Sequence, residues 1–378
     1  MVFEKLKQQK QKLESYFKAD PKNTTLAHQI IDLNFQLGDY QEVINIIDSI
    51  EASHSNDALA FKKSNALLSL GKAQEALAVL ETISINPESQ TAVQINKAHA
   101  QFQLGNFIEV NQLLKDLDVE SSLSTIILQA RSYHHMGDME NAIHLLERAN
   151  TKFPDNAEIK GLLSLLMLDE GNFDQQTLDC AEQALSSKPN QLEGLLTAGM
   201  MYQHYVKDLV KAESYFDKVI KEYPAVGRGW LYKGLAVMLR SELIEARGFL
   251  RKACELMPEH IGSWHSLAWS YILHGQADEA AECYEKALLL DRNFAETHGG
   301  ISIVQSMKGD NNQAEKTARL ALRLNPQCLS AQYTLMLINN SKNHQQEASE
   351  ILKNVLNTEQ GIEAQEFIKV LQGQNNKV

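Results

Sequence analysis

The side chains best equipped for chemistry in this chain are few and scattered. Cys180, Cys254, Cys283 and Cys328 are scattered from just before the midpoint onward, and none belongs to a CxxC pair. Paired thiols would suit zinc or redox exchange, whereas single thiols on helices read as small buried hydrophobes. His134 and His135 could ligate one metal only if both rings converged, and adjacent helical residues point in different directions. His260, His265 and His274 fall one to a helix turn or loop, without a carboxylate arranged beside them. The chain holds no glycine-rich phosphate loop, HExxH or GxSxG motif. No catalytic group, metal site or cofactor is therefore expected, and the chain reads as non-enzymatic.

The elements that must position any functional surface are easier to see. Ala212, Ala246, Ala280, Ala314 and Ala348 are each 34 residues from the next. A fixed period of this length marks a repeat array, and a helix pair is the unit that fits it. Around Ala280, the segment Ile261–Phe294 carries Trp264, Leu267, Ala268, Tyr271, Gly275, Ala280, Tyr284 and Ala287. These fill the W, L, G or A, Y, G, A, F or Y, and A places of the tetratricopeptide (TPR) signature. The chain thus resembles a TPR protein, of the bacterial kind. The flanking repeats keep Trp230, Gly234, Ala246, Ala253 and Pro258 on one side, and Gly309, Ala314, Ala321 and Pro326 on the other.

Followed outward, the register gives ten repeats: 24–56, 57–90, 91–122, 123–156, 157–190, 191–226, 227–260, 261–294, 295–328 and 329–362. Seven carry a turn glycine (Gly38, Gly71, Gly105, Gly137, Gly171, Gly275, Gly309), which a left-handed helix cap favours. Lys207, Ser241 and Asn343 stand in its place elsewhere, and the repeat from Gln191 carries about two extra residues near Tyr205–Leu209. Pro154, Pro189, Pro224, Pro258 and Pro326 are placed to close second helices. Residues 1–23 read as an N-terminal capping helix, with Phe3, Leu6, Leu13 and Phe17 inward, and 363–378 as a C-terminal capping helix and tail. The resemblance implies an all-α, right-handed superhelical solenoid forming one elongated domain. Repeats use up the chain and leave no room for a catalytic fold.

Composition is consistent with this. Of 378 residues 44% are hydrophobic, enough to bury a core, and the formal charge of −12 argues against a general nucleic-acid binder. The N-terminus lacks a long apolar run, so neither a secretory signal nor a membrane span is expected, and the expected setting is cytoplasmic. Lys5, Lys7, Lys10 and Lys12 read as the solvated face of a cap.

Function then falls to the surface. In TPR proteins first helices line the concave face, and positions 2, 5, 6, 9, 12 and 13 of each repeat point into it. In the early repeats these places hold His28, Asp32, Lys62, Asn65, Asn96, His99, Arg131 and His134. From Ala157 onward they turn apolar and aromatic: Leu162, Leu165, Leu192, Leu196, Tyr202, Tyr232, Met238, Trp269, Leu273, Met307, Tyr333 and Leu337. Two readings follow: core between adjacent first helices, or a groove for an apolar peptide or amphipathic helix, with Arg228 at its edge to hold a carboxylate. The carboxylate clamp of chaperone-binding TPR domains does not fit. Counting from Asp57, its places hold Phe61, Asn65, Asn96, Ser124 and Leu128, without a cation. The resemblance implies a scaffold or adaptor binding a protein partner, in assembly, secretion or envelope biogenesis. The substrate-recruiting region of a glycosyltransferase or sulfotransferase type of enzyme is the alternative, and self-association of two copies a third reading.

Overall fold

The computed structural model describes residues 2–21, 23–51, 56–84, 89–115, 117 and 122–341. Ala348, Asn343, the second half of the repeat 329–362 and the closing helix expected at 363–378 lie outside them. The described residues are helical throughout, without a strand. Among the described residues a lone helix α1 (Val2–Ala19) precedes eight packed helix pairs, with α10 and α11 between the fourth and fifth, and one last first helix. The pairs are α2 (Thr24–Leu37) with α3 (Tyr40–Glu51), α4 (Asp57–Ser69) with α5 (Ala73–Glu81), α6 (Gln90–Gln103) with α7 (Phe107–Leu114), and α8 (Leu123–His135) with α9 (Met139–Lys152). Then come α10 (Ala157–Asp169) and α11 (Gln175–Ser187), followed by α12 (Leu192–Met201) with α13 (Leu209–Glu222), and α14 (Gly227–Leu239) with α15 (Leu243–Leu256). The last are α16 (Ile261–Ile272) with α17 (Ala277–Leu290), α18 (Ala295–Met307) with α19 (Asn311–Leu324), and α20 (Leu329–Ser341).

The chain divides into two compact units, Met1–Asn172 and Phe173–Val378. In the first, Leu26, Ile30, Ile31, Val43, Ile47, Leu59 and Leu67 form a continuous core across α2, α3 and α4, and α1 covers it with Leu13 and Phe17. Phe3 stands exposed instead, with the Lys7 ammonium 4.8 Å from its ring centroid. At about 100° per residue Phe3 lies some 60° off the stripe made by Leu6, Leu13 and Phe17, which takes it off the packed face. In the second unit Leu195, Phe216, Leu250 and Tyr284 are fully buried.

The repeat residues earn their places physically. Ala212, Ala246, Ala280 and Ala314 are completely buried where first and second helices meet. A Cβ on Gly234 would lie 2.7 Å from Leu250 Cδ2, so α14 and α15 touch at backbone range there. Each turn glycine has a positive φ between 73° and 88°, and Lys207 (65°) and Ser241 (63°) adopt the same left-handed cap without being glycine. The extra residues after α12 are absorbed as a π-helical turn, Tyr202–Val206, closed by Asp208 N–H donating to Tyr202 O at 2.8 Å. Helices α9, α11, α13, α15 and α19 each end two residues before their proline.

The signature tryptophan gains an explanation. Trp230 Nε1 donates to Pro224 O (2.9 Å) and Trp264 Nε1 to Pro258 O (2.8 Å). His298 Nε2 to Arg292 O (2.8 Å) and Gln332 Nε2 to Pro326 O (2.9 Å) repeat the bond 34 residues on each time. In these four consecutive repeats the side chain at this place ties α14, α16, α18 and α20 to a carbonyl at the end of the previous repeat.

Candidate partner-binding face

In the first unit several polar residues on first helices are bonded across to a neighbouring first helix. Lys62 on α4 reaches Asp32 on α2 at 2.5 Å, and Asn96 on α6 donates to Asn65 on α4 at 2.6 Å. His134 Nε2 on α8 lies 3.0 Å from Asp169 Oδ2 on α10. These residues sit about one repeat apart, so the polar ladder laces neighbouring first helices together. His99 and His135 are both held below the ordinary imidazole range by burial. For His135 the charges of His134 and Arg131 add to the effect, and its ring stacks on Phe107 at 4.6 Å. His134 and His135 do not converge on one point, because one faces Asp169 and the other Phe107.

In the second unit α14 packs against α12 and α16 as well as against α15, and α18 against α16 and α20. First helices α12, α14, α16, α18 and α20 therefore stand side by side. Of the apolar residues expected on their shared face, Leu196 and Tyr232 are buried. So are Leu162 and Leu165 on α10 in the first unit. Their bulk is core, because nine of the thirteen α10 residues, all between Ile159 and Leu168, are buried, on more than one side of the helix. Tyr202 is buried too, and turned toward second helices. Its hydroxyl donates to Glu182 Oε1 on α11 (2.6 Å) and accepts from Lys211 on α13, and its ring stacks on Tyr215 at 5.7 Å. Its backbone is still α-helical (φ −66°, ψ −34°) where the π-helical turn begins, so the partners on α11 and α13 take up its side chain without a shift of register.

Leu192, Arg228, Met238, Trp269, Leu273 and Tyr333 remain half-buried, and Met307 is exposed. Arg228 Nε donates to Tyr232 Oη at 2.6 Å, with the guanidinium 5.2 Å from the ring centroid. Burial, and then the Arg228 charge, hold His260 below its ordinary value. His265, on the same helix as Trp269, hydrogen-bonds Thr297 Oγ1 at 2.8 Å between the rings of Tyr284 (5.3 Å) and Phe294 (5.5 Å). Burial in that apolar setting pushes its imidazole down to about 4.

Two features escaped sequence reasoning. One is a buried ionic cluster joining consecutive repeats: Lys233 Nζ on α14 meets Glu213 Oε2 (2.9 Å) and Asp217 Oδ1 (2.8 Å) on α13, and Arg240 meets Glu213 at 3.1 Å. The other is a set of exposed aliphatic side chains at the turns between paired helices, Val206, Val210, Leu239 and Ile244. The 34-residue period could have exposed the second; nothing in the spacing marks the first.

Among the described residues no group of three His, Cys, Asp or Glu could hold a metal ion, and no helix is long and apolar enough to cross a membrane. The four thiols are free.

Stacked helix pairs with this capping and these small interhelical contacts define an all-α repeat solenoid. Tetratricopeptide-repeat family models match residues 262–294 and 126–156, and the chain is a tetratricopeptide-repeat protein. Among curated proteins it is 28% identical over 221 residues to protein O-mannosyl-transferase TMTC3 of Homo sapiens, covering 54% of this chain and 24% of that one. It is 23% identical over 250 residues to BBSome complex member BBS4 of Bos taurus, covering 64% and 44%. The chain thus spans less than half the length of these relatives. Among solved structures, an IFIT1 chain superposes with a TM-score of 0.53 at 15% identity, covering 86% of this chain and 88% of that one. A chain of the APC/C Cut9–Hcn1 hetero-tetramer does so at 0.50, also at 15% identity, covering 93% and 76%. At such identity these likenesses speak for the fold alone.

Proposed function

We propose that the chain is a non-catalytic interaction scaffold. In this reading the first-helix face of α14, α16, α18 and α20 receives an apolar peptide or an amphipathic helix from a protein partner. The observation that carries it is the half-buried state of Met238, Trp269, Leu273 and Tyr333 beside exposed Met307. Partly accessible aromatic and thioether side chains on stacked first helices suit helix-in-groove recognition, where a few large anchors dominate the energy. The equivalent places in the first unit carry polar groups engaged with each other, which leaves the second unit as the apolar half. Arg228 at the edge is suited to a carboxylate on the ligand. A pull-down from the source organism, followed by titration calorimetry with the recovered partner, tests the reading. Trp269→Ala with Tyr333→Ala should weaken binding on the order of 100-fold, since two interface anchors contribute about 1–3 kcal/mol each. Unchanged affinity in a folded double variant would overturn it.

A second reading rests on the likeness to TMTC3, a named O-mannosyl-transferase of which this chain covers 24%. Here the repeats recruit substrate for a transferase whose catalytic part lies outside this sequence. Sequencing the reading frame beyond Val378 decides it: a transferase domain there supports this reading, and a stop codon with no such domain upstream removes it.

A further inference from the structure

Two arginines of α15 close on a single tyrosine of the next helix. Arg247 and Arg251 are four residues apart, so one helical turn sets them side by side. The Arg247 Cζ lies 4.7 Å from the Tyr271 ring centroid and the Arg251 Cζ 5.9 Å, and Arg251 Nη2 donates to the Tyr271 hydroxyl at 2.6 Å. Arg247 Nη2 donates to His274 Nδ1 at 2.6 Å and to Ser270 O at 3.4 Å. A guanidinium can only donate, so His274 Nδ1 accepts and the imidazole proton sits on Nε2. Neither arginine has a carboxylate partner among the described residues. Arg247 is 9% exposed, and its Nε is buried without an acceptor among those residues. Acids are not scarce, since the chain holds 48 of them against 36 lysines and arginines. Those nearest in sequence are engaged elsewhere: Glu255 with Lys252 (2.9 Å), Glu279 with Gln276 (2.5 Å) and Asp278 with Lys308 (2.6 Å). A guanidinium taken out of water keeps its full charge, so this pair is suited to an anion from outside the chain.

We propose that Arg247, Arg251, Tyr271 and His274 form an oxyanion site for a phosphate group. Two guanidinium forks supply charge and N–H donors. The Tyr271 hydroxyl, which accepts from Arg251, keeps its own proton to donate, and His274 Nε2 is a further donor. These donors are grouped around one ring from two helices and the turn that follows α16. A tetrahedral group with three oxygens meets such a set, whereas a planar carboxylate matches a single fork. Tyr271 stands about 200° round α16 from Trp269 and from Leu273, so the site lies on the side turned to α15 and away from the first-helix face.

Titration calorimetry with inorganic phosphate at constant ionic strength tests the site, with acetate and a phosphoserine tripeptide as comparison ligands. Phosphate should bind with a Kd on the order of 1 mM, the affinity that two charge-assisted bonds support, and acetate about tenfold more weakly. Arg251→Gln, at an exposed position, should raise the phosphate Kd about tenfold. Arg251→Lys should recover only part of that loss, because an ammonium lacks the fork. Arg247→Gln should weaken binding at least as much, with circular dichroism to check its folding. A tripeptide more than about tenfold tighter than phosphate identifies a phosphorylated protein as the source, and otherwise the free ion is the ligand. No heat beyond a chloride control, acetate as tight as phosphate, or unchanged affinity in folded Arg251→Gln overturns the proposal. Trp269→Ala with Tyr333→Ala should leave phosphate affinity unchanged, so this site and the partner-binding face stand or fall separately.

Discussion

The Lys233 cluster offers a sharp test of what couples neighbouring repeats. Lys233 is 7% exposed and Glu213 8%, so both charges have left bulk water. Burial alone would depress the lysine, yet its hydrogen bonds and charge interactions with Asp217 and Glu213 hold it above the usual range. Lys233→Met keeps the aliphatic stem and deletes the ammonium. Asp217, whose side chain is more than half exposed, can rehydrate, but Glu213 keeps only Arg240. Removing one partner of a buried pair costs about 3–5 kcal/mol, and the remaining arginine should reduce that to about 2–3 kcal/mol. With a urea dependence of about 1–3 kcal/mol per molar, the midpoint should fall by about 1–2 M. Trp230, Trp264 and Trp269 all lie in the second unit, so tryptophan fluorescence follows the affected repeats directly. Adding Glu213→Gln removes the stranded charge, and the double variant should recover about 1 kcal/mol or more over Lys233→Met. A single variant within about 0.5 kcal/mol of wild type, or a double variant that is simply additive, would refute the reasoning.

Other outcomes follow from the same physics. Gly300→Ala would place a Cβ 2.1 Å from Tyr284 Cζ and 2.4 Å from its hydroxyl, on a ring that is fully buried. The expected loss is about 3 kcal/mol, and Tyr284→Leu in the same chain should return part of it; calorimetric melting measures both. His265 should make the second unit acid-sensitive. Its imidazole titrates near 6.5 when unfolded and about 4 when folded, so the unfolded chain takes up the proton first. Stability is therefore intact above pH 6.5 and falls between 6.5 and 4, by up to about 1.4 kcal/mol per pH unit, and His265→Gln should flatten that slope in urea titrations. An equal slope in the variant would exclude His265 as the source. Burial pushes the thiols of Cys254 and Cys328 up to about 12 and that of Cys283 up to about 11. At pH 8 iodoacetamide should thus modify half-buried Cys180 first and the other three only in denaturant, as peptide mass mapping would show.

Much of the fold was legible because each repeat solves the same local problem. A left-handed cap selects Gly275 and its equivalents, close helix approach selects Ala280 and its equivalents, and proline stops the second helix. Such constraints act within a few residues and leave a period. The partner-binding face was less legible. Both an inward-facing leucine such as Leu196 and a half-exposed Leu273 satisfy the same apolar pattern, and only their neighbours decide how much water each one sees. Tyr202 keeps its expected place on α12 but is buried because Glu182 on α11 and Lys211 and Tyr215 on α13 engage it, partners that its position in the repeat does not reveal.

The amino-acid sequence by itself determined the repeat, its helix pairs and their caps, because those depend on local sterics and on the size of one side chain. Tertiary structure alone decided that Tyr202 would bond Glu182 rather than face a ligand, and that Lys233 would find Glu213 twenty residues back on the preceding repeat. Such outcomes depend on which surfaces stacking brings together, and no short stretch of chain carries that information.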